Sequence, residues 1–293
     1  MNTVLLVPDR QRRLRQGVER DWAGRDDTIT VVIGVSNRVD DKLANTIKSV
    51  REQTHPASLI SIIVVDYNNT SENSTRIAAF CDRFGASHVR VCDGKRWNKS
   101  RCYNIVIRRA TSKFLMSCDA DILLAPNYLA TAIDSLRQSP LSVVYSQCLD
   151  LPQEASTEVL SWHVGGRVED INRFLCLASP RSSGGMNQGI SVSYTCYYRY
   201  VHGYDEFYEE WGCEDTDLQN RFLWLGLDLV SIKDKTFYLH QWHEKHASLD
   251  QDLVRLALER NELYLRKSRS VVRNGEEWGE PGMSVELSPC GGM

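Results

Sequence analysis

Thr28-Ile29-Thr30-Val31-Val32-Ile33-Gly34-Val35-Ser36 is β-branched and almost wholly apolar. Such a run has no polar face to turn to water, so it reads as a strand buried on both sides, as in a parallel sheet covered by helices. The stretches that follow repeat the theme. A helix carries Leu43, Ile47 and Val50 on one face, and Leu59 to Val65 is a second buried strand ending at Asp66. A polar turn from Asn68 to Ser71 leads into a helix with Ile77, Phe80, Cys81 and Phe84 inward and Gly85 as its stop. His88 to Cys92 is a short third strand, and Asn98 to Ala110 is a helix through Cys102, Ile105 and Val106. Lys113 to Cys118 is a fourth strand that runs directly into Asp119 and Asp121. This alternation predicts right-handed βαβ units and a mainly parallel sheet flanked by helices, an α/β fold. Ligands of such sheets bind beyond the carboxyl ends of the strands, which is where Asp66, Asp119 and Asp121 stand.

The second half is less regular. Leu141 to Ser146 reads as a strand, whereas Gln147 to Arg181 is mixed. Ser182-Ser183-Gly184-Gly185 is a flexible turn before the strand-like Gly189 to Thr195, and Thr236 to Leu239 is a short strand ending at His240. A last helix opens on a capping box of Ser248 and Gln251 and carries Leu249, Leu253, Leu256 and Leu263. From Lys267 onward apolar pattern is scarce, which predicts a poorly ordered tail.

The chain has 293 residues and a formal net charge of -3, so no strongly basic surface for nucleic acid is indicated, despite a local basic patch from Gln11 to Arg25. Its nine cysteines form no CxxC pair, and several lie inside apolar runs. That usage suits reduced, buried thiols and a cytoplasmic setting. Met1 to Pro8 has an apolar patch of four residues, too short for a signal peptide or an anchor, and no other run is long enough to span a bilayer.

Three constellations carry chemistry. In an extended segment Asp119 and Asp121 point to one side, and hard oxygens at that spacing suit Mg2+ or Mn2+ on a diphosphate, although such pairs also arise by chance. In Trp211-Gly212-Cys213-Glu214-Asp215-Thr216-Asp217-Leu218-Gln219-Asn220-Arg221 a Trp-Gly turn delivers two acids to a helix start that Gly226 ends. The macrodipole alone favours acids there. Adjacent side chains at a helix start diverge, however, so one can hold a hydroxyl while the other takes a proton. His240, His243 and His246 recur every third residue. A helix would gather them for zinc, but Gln241-Trp242 continues a strand-like run and predicts divergence. His240, at the strand end, is the better ligand candidate, and His246 reads as a surface residue.

Together these segments resemble GT-A fold glycosyltransferases. The amino half is similar to the large family 2 enzymes. Gly203-Tyr204-Asp205-Glu206 leading to Trp211-Gly212-x-Glu214-Asp215-x-Asp217-Leu218-x-x-Arg221 is similar to the carboxyl region shared by β-1,4-galactosyltransferases and bacterial chondroitin polymerases. Trp97-Asn98-Lys99-Ser100-Arg101-Cys102-Tyr103-Asn104 resembles the segment those galactosyltransferases carry before their metal motif. The resemblance spans roughly Thr28 to His246. It implies an amino-terminal extension over 1–25 and a GT-A domain over 26–266, with a single Rossmann-like sheet and a smaller acceptor-binding subregion. The donor half is about 26–125, the acceptor half about 126–246, the closing helix 248–266 and the tail 267–293.

The resemblance also implies roles. Gly34, Val35, Ser36 and Asn37 form the floor under the donor base, and Asp66 bonds its uracil or ribose. Lys99 or Arg101 neutralises the diphosphate, Ala120 lies in the donor site, and Gly184-Gly185 lets the backbone approach the donor. Asp121 ligates Mn2+ or Mg2+, with Asp119 on the ribose or a metal-bound water, His240 as third ligand and His243 as its substitute. Glu214 binds hydroxyls, Trp211 and Gly212 present a flat face to an acceptor sugar, and Asp215 is the general base. The implied reaction moves a sugar from a nucleotide-sugar, a UDP-sugar above others, to a hydroxyl of a saccharide or glycoconjugate, with inversion. A retaining transferase on the same fold, or a non-catalytic nucleotide-sugar-binding protein, is the alternative.

Two departures from that pattern stand out. Cys213 replaces the usual Gly of the turn, and the chain shows no stem or anchor of the Golgi kind, which points to a cytoplasmic enzyme. Other classes fit less well. A nucleotidyltransferase needs a Gly-rich phosphate loop where Ile33 to Val39 has only Gly34, and a nicotinamide dehydrogenase needs GxGxxG after the first strand. A zinc hydrolase on the three histidines leaves both acidic segments unexplained.

Overall fold

β1 (Ile29–Val35) forms where the β-branched run predicts it, with every residue buried. It lies inside an eight-stranded sheet of a computed structural model that describes residues 7–22, 24–36, 39–181, 189–210, 212–244, 251–267, 269–280 and 285–288. The other strands are β2 (Ile60–Tyr67), β3 (Ser87–Val91), β4 (Phe114–Cys118), β5 (Ile122–Leu124), β6 (Ser142–Tyr145), β7 (Cys148–Asp150), β8 (Ser179–Pro180), β9 (Ile190–Tyr194), β10 (Asp228–Ser231), β11 (Tyr238–His240) and β12 (Val285–Ser288). The helices are α1 (Val7–Trp22), α2 (Asp41–Arg51), α3 (Ser71–Phe84), α4 (Lys99–Ile107), α5 (Tyr128–Gln138), α6 (Ser156–Leu160), α7 (Trp162–Gly165), α8 (Ile171–Phe174), α9 (Thr195–Tyr200), α10 (Glu214–Leu225) and α11 (Gln251–Lys267).

The large sheet runs β10-β6-β9-β4-β1-β2-β3-β12. β4, β1, β2 and β3 are mutually parallel, as are β10 and β6, while β9 is antiparallel to both β4 and β6. A mainly parallel sheet is therefore present, reversed at β9 and at the edge strand β12. A second sheet, β5-β11-β7-β8, stands beside it where one alone was expected. Its strands have two or three residues, too few to show a period of two.

The helix ends follow the local chemistry. The Asp40 carboxylate accepts from Lys42 N at 3.0 Å to start α2, and Asn98 Oδ1 accepts from Arg101 N at 2.9 Å to start α4. α3 and α10 stop at Gly85 and Gly226, both with positive φ. Side chains of both halves share one core around the large sheet. A smaller cluster of Leu123, Leu151, Val159, Trp162, Ile171, Phe174 and Leu239 lies under the second sheet, so the stretch that was hard to assign is a small helical unit. Among the described residues no helix is long and apolar enough to cross a membrane, and none of the eight described cysteines forms a disulfide.

Segments near both ends pack against the domain, which over 269–280 differs from the expectation of a poorly ordered tail. α1 is a packed helix that buries Leu14, Val18 and Trp22 against the core. The tail is anchored over 269–280 and again at 285–288. Asn274 Nδ2 donates to His202 O at 2.7 Å, Arg108 donates to Glu276 O and Arg109 to Gly279 O, both at 2.8 Å, and β12 pairs antiparallel with β3. Hydrophobic patterning missed this because polar groups do much of the anchoring, and the two apolar residues that reach the core, Val271 and Trp278, form no periodic run. The proposed capping box at Ser248 lies outside the described residues.

Candidate active site

β4 ends at Cys118, and Asp119 N donates to Gly189 O at 2.9 Å before the chain turns and enters β5 at Ile122. Asp119 therefore closes the large sheet while Asp121 opens the small one. The two carboxylates do not share a side as an extended segment would require. Asp119 Oδ1 accepts from Tyr103 OH at 3.0 Å and from Lys99 Nζ at 3.2 Å. Gly189 sits at φ +82, and a Cβ there would lie 2.5 Å from Asp119 Oδ2, so both backbone conformation and space demand glycine.

Lys99, the first residue of α4, also lies 2.7 Å from Glu214 Oε1 and 3.1 Å from Asp215 Oδ2. The adjacent acids thus converge on one ammonium rather than diverging. Gly212 and Cys213 both have positive φ and swing the start of α10 toward α4. Gly189 N adds a 3.3 Å contact to Asp215 Oδ2.

Burial then separates the two acids electrostatically. It opposes the charge on Lys99, but Asp119, Asp215 and Glu214 outweigh it and hold Lys99 well above the usual lysine value. Burial also opposes the charge on Glu214, and Lys99 overcomes it to hold this carboxyl below its ordinary value. At Asp215 burial dominates. With the charges of Glu214 and Asp119 added and Lys99 opposing, it pushes Asp215 up to about 7. Neighbouring carboxyls driven apart in this way are the usual sign of divided acid and base roles.

The small sheet assembles a second cluster. Register pairs His240 with Ile122, next to Asp121, and the chain after β11 brings His243 back to the same carboxylate. Asp121 Oδ2 lies 3.6 Å from His240 Nε2 and 3.2 Å from His243 Nε2. The ligand atoms of these three residues fall within 4.8 Å of one another. His240 Nδ1 faces Asp150 Oδ1 at 3.0 Å, and His243 Nδ1 faces Glu244 O at 3.1 Å. Each ring nitrogen therefore meets an oxygen that can only accept, although a neutral imidazole has one proton to give. A proton or a metal cation satisfies the Nε2–carboxylate contacts. Against burial, Asp121 and Asp150 push His240 up to about 9, as expected where two carboxylates favour positive charge. Two imidazoles and a carboxylate are a common set for a transition-metal dication. Asp119 is not part of this group, and His243 joins His240 rather than substituting for it.

The other expected donor residues scatter. Gly34 is a packing glycine, since a Cβ there would lie 3.1 Å from Cys102 Cβ and 3.4 Å from the Trp97 ring. Val35 is buried, whereas Ser36 and Ala120 are partly exposed near the strand ends. Asp66 has no exposed surface. Burial opposes its charge, but His88, Ser74 and Asn69 hydrogen-bond it and hold it below its ordinary value, so it serves as a structural carboxylate rather than one turned to a ligand. Arg101 points away from Lys99 toward Asp93, 3.4 Å distant. Asn37, Gly184, Gly185, Trp211 and His246 lie outside the described residues. Tyr103, Gly189, Asp150 and Arg181 belong to the site and were not read from the sequence. Only the spacing of Tyr103 from Lys99, one helical turn, signalled any of them.

Behind α10 lies a buried charge network. Arg221 Nε donates to Asp217 Oδ2 at 2.6 Å and its Nη1 to Val201 O and Gly203 O at 3.0 and 2.8 Å. Arg273, from the anchored tail, reaches Asp217 Oδ1 at 2.9 Å. The Asp-x-x-x-Arg part of the motif is thus a brace that fixes the helix carrying Glu214 and Asp215.

The sequence model of glycosyl transferase family 2 matches residues 30–195, more than half of the chain, including β2, β3, β4 and β9 of the large sheet. The chain belongs to glycosyl transferase family 2. A second model, described as the N-terminal domain of galactosyltransferase, matches residues 180–244, the stretch holding both acids and both histidines. A comparison with curated proteins finds no match. Solved structures share the GT-A fold. S. aureus TarS aligns at TM-score 0.55 and 12% identity, covering 73% of this chain and 37% of that one. GalNAc-T7 with UDP, GalNAc and Mn2+ aligns at 0.55 and 14%, covering 74% and 44%. The mannosyltransferase PcManGT from Pyrobaculum calidifontis, in complex with GDP-Man and Mn2+, aligns at 0.55 and 15%, covering 90% and 77%. The chain therefore spans less than half of the first two.

Proposed function

We propose that this family 2 member transfers a sugar from a nucleotide-sugar, specifically a UDP-sugar, to a hydroxyl of a saccharide or glycoconjugate acceptor with inversion at the anomeric carbon. The observation that carries this reading is the split pair at the start of α10, with Glu214 held ionised by Lys99 and Asp215 raised to about 7 beside it. A group of that proton affinity both releases and accepts a proton near neutral pH, as a general base must.

Asp121, His240 and His243 hold a divalent cation. Their nitrogen-containing donor set favours Mn2+ over Mg2+, which prefers oxygen alone. When bound, the cation supplies Lewis-acid stabilisation of the diphosphate as it leaves. The protein's own groups do the rest. Lys99 keeps Glu214 charged, so that this carboxylate can accept hydrogen bonds from sugar hydroxyls. Asp215 takes the proton of the attacking hydroxyl. A base acting opposite the leaving group gives inversion, so an α-linked donor yields a β-glycoside, a configuration that product NMR reads directly. Residues 26–125 serve the donor, 126–246 the acceptor and α11 closes the domain. Galactosyltransferase-type similarity over 180–244 supports a UDP-linked hexose or N-acetylhexosamine as the donor.

The pH profile tests the base. Asp215 works only when deprotonated, so kcat/KM should rise with pH, bend near pH 7 and stay flat above it. Below the bend it should fall about tenfold per pH unit, as for loss of a single base. A profile flat down to pH 5 would remove Asp215 from this role.

A further inference from the structure

The order β5-β11-β7-β8 sets four charged residues in a row across the small sheet. Asp121 precedes β5. His240 on β11 pairs in register with Ile122 on one side and Asp150 on the other, and Asp150 on β7 pairs with Ser179 of β8. Arg181 follows β8 directly, its backbone fixed by a 3.0 Å bond from its N–H to Cys148 O. The contacts run in the same order. His240 Nδ1 meets Asp150 Oδ1 at 3.0 Å, and Arg181 Nε lies 3.1 and 2.9 Å from the two Asp150 oxygens while its Nη2 also grips Oδ1. Acid, imidazole, acid and guanidinium therefore alternate across four strands.

Building on the metal centre proposed above, we infer that Asp150, clamped by Arg181, is the positioning residue of that centre. An imidazole can turn about its side-chain bonds and carry its proton on either nitrogen. A carboxylate on Nδ1 removes both freedoms, leaving the Nε2 lone pair aimed at Asp121 and the cation. The guanidinium fork in turn fixes the plane of the carboxylate, which a single-point lysine ammonium would not do. His243 receives the equivalent restraint from the Glu244 carbonyl. Asp150 and Arg181 also bracket the helical unit of α6, α7 and α8, so the same clamp ties that unit to the metal centre.

The test is Mn2+ binding by the full chain without nucleotide, read from the electron paramagnetic resonance signal of the free ion. Asp150→Ala should raise the Mn2+ Kd by about 10–100-fold, the usual cost of losing such a partner, and Arg181→Gln by a smaller factor in the same direction. Turnover of Asp150→Ala should recover at saturating Mn2+, and the unfolding midpoint in EDTA should stay at the wild-type value. Should Asp150→Ala lower that midpoint, Arg181→Gln decides, because its side chain is 27% exposed and its loss leaves the ladder intact. Wild-type Mn2+ affinity in both variants, with affinity lost in Asp121→Ala, would overturn the inference alone. Wild-type affinity in Asp121→Ala would instead remove the metal centre on which it rests.

Discussion

Asp215→Asn should lower turnover by about 10²–10⁴-fold, the usual contribution of a general base, and leave donor binding unchanged. That range corresponds to roughly 3–5 kcal/mol of transition-state stabilisation. The substitution keeps size and shape, and Asn Oδ1 can still accept from Lys99 Nζ and Gly189 N, which lie 3.1 and 3.3 Å from the carboxylate oxygen now. What disappears is the ability to take a proton. Steady-state kinetics beside calorimetric titration of the donor separates the two effects. The bend near pH 7 should vanish with the activity. Turnover within a few-fold of wild type would place the base on another residue.

Arg221→Leu should cost about 3–5 kcal/mol of stability, because breaking one partner of a buried ion pair strands the other. Both Arg221 and Asp217 are fully buried. Without the guanidinium, Asp217 keeps Arg273 but loses its 2.6 Å bond, and the carbonyls of Val201 and Gly203 lose a shared donor. Gly203 cannot relax to compensate, since it sits at φ +67 with Asn104 packed where a side chain would stand. Denaturant unfolding of purified protein measures the loss directly. A change below 1 kcal/mol would mean that the network does not brace α10.

These expectations show which features a sequence exposes. β1 and the helices α2, α3 and α4 were legible because burial imposes composition, and because Asn98 and Gly85 are local start and stop signals. Glu214, Asp215, Asp121 and His240 stood out as candidates because each lies next to a recognisable strand or helix end, whereas Lys99 and His243 became candidates mainly through the resemblance. Their grouping was not legible. Asp119 and Asp121 separate because the chain changes sheets between them, and Glu214 and Asp215 converge because two positive-φ residues turn the helix start. Neither fact has a periodic signature. Asp150 and Arg181 were invisible for a related reason, since they become partners only through pairing of strands two or three residues long. The tail was misread because Arg273 and Asn274 hold it by polar bonds, and its apolar contacts, Val271 and Trp278, are too few to form a pattern.

The central claim is that the Asp121–His240–His243 centre and the carboxylate pair act together on a metal-bound nucleotide-sugar. Its most direct measurement is release of nucleoside diphosphate from a panel of nucleotide-sugars with Mn2+, with Mg2+ and with EDTA, on wild type and Asp121→Ala. Wild type should release nucleoside diphosphate from a UDP-sugar with Mn2+, less with Mg2+, and none in EDTA, and Asp121→Ala should release none. Equal release in EDTA, or by Asp121→Ala, would contradict the claim.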